Sequence, residues 1–265
     1  MASEKSGAGK EMSFWDHLEE LRGTIVRSAL AVVIMSVAGL AFREFLFDGI
    51  ILKPTRPEFV VYRLLGWNFS MNLINVDISA QFFVHLKAAL GTGLVASFPY
   101  IIWEIWKFIS PALYEREVKP VRGAFLLSSL LFYLGVLVGY FFILPVCLQF
   151  FMNYKVSDTV INSITLNSYM SMFISMVLLI GIVFEFPTVI AVLSRLGAVN
   201  RRMLRKGRKY AFVIILVLSA VITPSDPFSM LVLAIPLYLL YEFSILLCAK
   251  EVPVDEEDSI TEQEE

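Results

Sequence analysis

The chain has 265 residues, 57% of them hydrophobic and 17% charged, and a formal net charge of −2. Its mean hydropathy of +0.72 exceeds what a soluble domain of this length needs, and the scarce charges cluster between apolar runs. This profile predicts a polytopic helical membrane protein and excludes a transmembrane barrel, because the runs are continuous rather than alternating.

In chain order, residues 1–12 read as a disordered N-terminal tail, and residues 13–250 as one membrane domain. The first 23 residues are polar and carry acids, unlike the start of a cleavable signal, so none is expected. In "SFWDHLEELR" (13–22), Ser13 and Asp16 have capping-box spacing, and Phe14, Leu18, Leu21 and Ile25 recur at helical spacing. A short interfacial helix is expected there, running into the first span. Six apolar runs follow, at about 24–42, 78–102, 121–145, 168–196, 210–222 and 228–241. A span needs about 20 residues to cross about 30 Å of hydrocarbon. The last two runs are only about 20 Å long at a rise of about 1.5 Å per residue, so the fifth and sixth helices are expected to be short. They are joined by the turn "TPSDP".

The loop between the second and third runs, "KFISPALYEREVKP" (107–120), holds Glu115 and Glu117 among Lys107, Arg116, Lys119 and Arg122. Trp103 and Trp106 mark the headgroup zone. Pro99 and Pro111 are expected to break the helix and bend the chain at that level. The carboxylates there either pair locally with their basic neighbours or serve a ligand. Two ionisable residues, Lys87 and Glu185, fall inside apolar runs, where charge is costly and rarely faces lipid. Pro187 predicts a kink beside Glu185. Residues 251–265 carry eight acidic residues and no basic ones and read as a disordered tail.

Orientation follows from the basic residues. Six spans place Lys5, Lys10, Arg22, Arg27, Lys107, Arg116, Lys119, Arg122, Arg195, Arg201, Arg202, Arg205, Lys206, Arg208, Lys209 and Lys250 on one side. Only Arg43, Lys53, Arg56, Arg63 and Lys155 fall on the other. The positive-inside rule then puts both termini in the cytoplasm.

Enzyme chemistry has no residues to stand on. The two histidines, His17 and His85, are far apart in sequence. No H-E-x-x-H, phosphate-cradling glycine loop or G-x-S-x-G elbow is present. No catalytic residue, metal or cofactor is expected, and no nucleic-acid partner. Cys147 and Cys248 fall near opposite membrane faces, so no disulfide is expected.

With these residues in view, the chain resembles the TatC family, the polytopic subunit of the twin-arginine (Sec-independent) protein translocase. The resemblance rests on "HLEELR" (17–22), "FPYIIWEIWKFISPALYEREVK" (98–119), "FEFP" (184–187), "TPSDPFS" (223–229), and "AIP" with "YE" within 234–242. It implies a receptor that binds signal peptides bearing two consecutive arginines and exports folded proteins on the proton-motive force. The implied partners are TatA/TatB-like single-span subunits, further copies of the chain and membrane lipids, in a bacterial inner membrane. The signal-peptide residues it implies are Glu20, Arg22, Phe108, Leu113, Tyr114 and Glu117. The intramembrane polar site for partner helices would include Glu185 and Thr223. Met230 stands where the family leads one to expect a glutamine, and Lys87 is the other ionisable residue within a span. Two other readings compete on residues alone: a secondary transporter coupling a solute through Lys87 and Glu185, and an assembly factor for other membrane proteins. Internal repeats, which transporters of that kind usually show, are absent.

Overall fold

A computed structural model describes residues 14–67, 69–109, 115–157, 159, 162–223 and 226–248, without the side chains of Phe14, Asp16 and residues 115–125. It is almost wholly helical. In chain order the helices are α1 (Phe14–Ala41), α2 (Arg43–Leu46), α3 (Val60–Leu65), α4 (Ala80–Ile109), α5 (Glu115–Val138), α6 (Leu144–Asn153), α7 (Leu166–Ile174), α8 (Ile180–Val183), α9 (Phe186–Arg195), α10 (Arg201–Ile222) and α11 (Pro227–Leu247). π-helical turns at Gly139–Ile143 and Ser175–Leu179 join α5 to α6 and α7 to α8. Two two-residue strands, Leu73–Ile74 and Ile164–Thr165, pair in parallel. A strand pair this short leaves no periodicity in the sequence, and the all-helical expectation omits it.

Among the described residues, five helical stretches are long and apolar enough to cross a membrane: His17–Ala41, Ala80–Ile109, Leu126–Asn153, Leu166–Arg195 and Pro227–Leu247. The helix α10 is not among them. Its first nine residues carry Arg201, Arg202, Arg205, Lys206, Arg208 and Lys209, which leaves only residues 210–222 as an apolar segment. The expectation of short fifth and sixth helices is overturned for both, since α10 has 22 residues and α11 has 21; only the apolar part of α10, residues 210–222, is short. The 21-residue α11 is about 31 Å long at about 1.5 Å per residue. It runs through Glu242 because that carboxylate is neutralised by Arg208 at 2.7 Å, and Ser244 satisfies its hydroxyl on the Leu240 carbonyl within the helix.

The helix predicted over 13–22 runs into the first span as expected, in one continuous helix, α1. One further expectation changes. Pro99 lies inside α4 without ending it: proline removes one donor, and helices buried in apolar surroundings tolerate that loss. Pro111 lies outside the described residues. Pro187, by contrast, marks a break as expected. Glu185 donates its N–H to Ile182 O at 3.0 Å, a three-residue step, and α9 then restarts with Pro187 in its first turn, where no N–H is required.

The chain divides into two compact units, Met1–Phe125 with Met152–Ile174, and Leu126–Phe151 with Ser175–Glu265. In the first, α1 packs along α4 through small residues. A Cβ at Gly93 would lie 2.7 Å from Ser36 N and 2.8 Å from Val32 O, so the two backbones approach as closely as glycine permits, the usual device between membrane helices. The segment between α1 and α4 folds over Tyr62. That ring is fully buried, packs against Phe59 and Phe69, and donates its hydroxyl to Pro54 O at 2.7 Å. Tyr169 of α7 donates to Ile51 O at 2.5 Å, which ties α7 to the same segment.

In the second unit the two π-helical turns meet, and a Cβ at Gly139 would lie 2.3 Å from Met176 O. The helices α10 and α11 form a hairpin with side-chain N-caps: Asn200 accepts from Met203 N at 2.7 Å and Asp226 from Ser229 N at 2.6 Å. Tyr241 donates to Leu204 O at 2.6 Å, and Phe228 stacks on Phe150 with ring centroids 3.8 Å apart.

Candidate functional site

In the first unit, His17, Glu20, Thr24 and Arg27 follow one another at steps of three and four along α1, which puts them on one helical face. Opposite lies the C-terminal end of α4. His17 stacks on Phe108 with centroids 4.4 Å apart. Arg27 donates Nε–H to Glu104 Oε2 at 2.6 Å and Nη2–H to Thr24 Oγ1 at 3.3 Å. Lys107 donates to the other Glu104 oxygen at 3.3 Å. Glu104 is 1% exposed, whereas Arg27 and Lys107 are about half exposed. Its two oxygens are thus saturated by two cations.

Glu20 is different. Its Oε2 is sheltered and has no hydrogen-bond partner among the described residues. A carboxylate oxygen kept from water without a donor is an acceptor held ready for one. Arg22, two residues on, is exposed. Of the other predicted residues, Phe108 belongs to this face, Leu113 and Tyr114 lie outside the described residues, and Glu117 falls in the first turn of α5 without a described side chain.

The second unit holds the predicted intramembrane residues. Ser128 donates its hydroxyl to Glu185 Oε2. Glu185 Oε1 and Thr188 Oγ1 are sheltered and have no partner among the described residues. Thr223 is buried and satisfies its hydroxyl on Ser219 O at 2.9 Å. Met230 is half-buried, and its N–H bonds Asp226 O at 3.2 Å. Lys87, in the first unit, donates to Asn167 Oδ1 at 3.0 Å. Lys87 and Glu185 thus each have their own neutral partner, and the coupling pair that a transporter reading needs finds no support. Cys147 and Cys248 are both free thiols.

Sequence reasoning gave no role to Glu104, Ser128 or Asp226. The Glu104–Lys107 spacing of three was legible as a helical ion pair, but Arg27 is 77 residues away from Glu104. Nothing local announces that contact.

The architecture is that of a multi-pass helical membrane protein, with carboxylates positioned at the end of one helix pair and within another span. The family model for TatC, the Sec-independent protein translocase protein, matches residues 16–236. The chain is 38% identical over 252 residues to TatC of a Blattabacterium from Periplaneta americana, covering 89% of this chain and 95% of the relative. It is 35% identical over 249 residues to TatC of Desulforapulum autotrophicum, covering 93% and 88%. A crystal structure of a twin arginine translocase receptor, TatC, in DDM superposes with a TM-score of 0.76 at 33% identity, covering 88% of this chain and 99% of the other. The chain belongs to the TatC family of protein translocase subunits.

Proposed function

We propose that this chain is the receptor subunit of a twin-arginine translocase and takes the paired arginines of a signal peptide on the α1–α4 face. The observation that carries this reading is the sheltered oxygen of Glu20, without a partner among the described residues, on the same α1 face as the Arg27 that helps saturate Glu104. A guanidinium offers a planar fork of donors to such a carboxylate. Glu117 is the second acceptor, Arg22 orients the rim, and Phe108, Leu113 and Tyr114 meet the apolar part of the peptide. Site-specific photocrosslinking from position 117 to a precursor with Arg-Arg tests the placement.

Glu20→Ala should weaken precursor binding by about tenfold or more, since a hydrogen bond to a charged group contributes about 1.5–3 kcal/mol. Lys-Lys in place of Arg-Arg should weaken binding to the wild type, because lysine cannot make the fork. Unchanged affinity of Glu20→Ala, measured on detergent-purified protein, would remove the residue from the site.

The rest of the reading concerns assembly. The sixteen-to-five asymmetry of basic residues supports six membrane passes with both termini in the cytoplasm of a bacterial inner membrane. Glu185 Oε1 and Thr188 Oγ1, sheltered and without a hydrogen-bond partner among the described residues, suit polar groups of TatA/TatB-like single-span helices, together with Thr223 and Met230. Several copies form the receptor complex, and transport draws on the proton-motive force. The α10 apolar segment is about 10 Å shorter than the hydrocarbon, and such mismatch costs fractions of a kcal/mol per Å. Local thinning there lowers the barrier to a passage. Five or six leucines inserted into residues 210–222 should leave precursor binding unchanged and abolish transport. Transport at the wild-type rate would exclude thinning at this helix.

A further inference from the structure

At the opposite end of α4 from Glu104 lies a cavity of 720 Å³ whose lining includes Asp77, Ser79, Lys87 and Asn167, with Ile78 and Phe83 among its apolar walls. Lys87 sits roughly two turns into α4, an apolar helix long enough to cross a membrane, where an ammonium without a counter-charge is costly. It has three donors. Asn167 takes one, and among the described residues no carboxylate lies within ion-pair distance of it. Asp77 also lies in the wall with no side-chain partner among the described residues, and it is exposed. Among the described residues, then, the cavity carries one cation and one anion with no ion-pair partner. Around it, Ile78 is fully exposed at 102%, Phe82 at 68% and Phe83 at 53%.

We propose that this cavity is a phospholipid site for a zwitterionic headgroup with a primary ammonium, as in phosphatidylethanolamine. Lys87 and the Asn167 amide hold the phosphate, Asp77 accepts from the ammonium, and the acyl chains lie over Phe82 and Phe83. Charge-assisted contacts on both ends of the headgroup give the selectivity. Phosphatidylglycerol satisfies Lys87 but offers Asp77 only neutral hydroxyls, with no counter-charge. Choline carries charge but no N–H for Asp77. A free phosphate or phosphoethanolamine leaves the apolar rim uncovered, and burial of that rim contributes affinity in proportion to area.

The test is lipid retention by the delipidated, full-length protein in detergent, read by native mass spectrometry. Phosphatidylethanolamine, phosphatidylglycerol, phosphatidylcholine and soluble phosphoethanolamine are the probes. Phosphatidylethanolamine should be retained about tenfold or more over phosphatidylcholine, as one charge-assisted hydrogen bond predicts. Lys87→Met should lose that retention by a similar factor, and Lys87→Arg should keep it. Asp77→Asn lies in an exposed segment before α4 and should abolish the ethanolamine-over-choline preference with no change in melting temperature. Equal retention of the three lipids overturns the site. So does a preference for phosphatidylglycerol that is the same in wild type and Asp77→Asn. Phosphoethanolamine binding as tightly as the lipid overturns the lipid as its source. Unchanged lipid retention in Lys87→Met, with loss of a co-purifying single-span helix instead, assigns Lys87 to a protein partner and refutes the proposal.

Discussion

Arg27→Met is expected to lower the stability of the detergent-solubilised protein by about 3 kcal/mol, the lower end of the range for breaking a buried ion pair, because Lys107 still holds the carboxylate. The size follows from an asymmetry in the cluster. Glu104 is 1% exposed, whereas Arg27 is 48% and Lys107 53% exposed. Methionine keeps the apolar stem but leaves a buried carboxylate with a single ammonium at 3.3 Å. The reverse change, Glu104→Gln, frees two cations that can reach water or headgroups along their flexible stems, and should cost about 1–3 kcal/mol. Lys107→Met should cost less than Arg27→Met, because the shorter Arg27 contact remains. Thermal melting of the three variants measures the order, and Glu104→Gln proving as harmful as Arg27→Met would contradict it. Arg27→Met should also weaken precursor binding, since the same contact sets the α1 face that carries His17 and Glu20 against Phe108.

Gly139→Ala is expected to destabilise by about 3 kcal/mol, the upper part of the range for overpacking. The added methyl would meet Met176 O at 2.3 Å and Val177 Cα at 3.0 Å. Both are backbone atoms of the facing π-helical turn, so no side chain can rotate away to make room. Gly197→Ala is the control. Its φ is +74° with nothing within 4 Å of the new atom, so only left-handed strain of roughly 1–2 kcal/mol applies. Equal losses at the two positions would show that the π-helical turns do not pack as closely as described.

The contrast between these sites indicates what was legible in advance. The apolar runs were, because about 20 consecutive apolar residues leave few alternatives to a membrane helix. The kink at Pro187 was legible because its cause is local: a missing N–H two residues after Glu185. The shortness of the fifth apolar segment was also legible, from the basic residues of 201–209 that precede it. The length of α11 was not. The apolar run stops at 241, and the pairing of Glu242 with Arg208, 34 residues away, has no local sign. Pro99 misled in the opposite sense, since the tolerance of a lost hydrogen bond depends on what surrounds the helix.

By itself, then, the sequence determined the helical membrane class and, through its motifs, the family. These are properties of composition and of spacing within single segments, where hydropathy and helical period act without reference to the rest of the chain. Tertiary structure alone decided which carboxylates are occupied and which are open. Glu104, Glu20 and Glu185 are the same kind of residue in the sequence. They differ because Arg27 and Lys107 reach the first, no described donor reaches one oxygen of the second, and the Ser128 hydroxyl takes only one oxygen of the third. Helix packing sets those distances, and it rests on small residues such as Gly93 and Gly139, whose role is to let distant backbones meet.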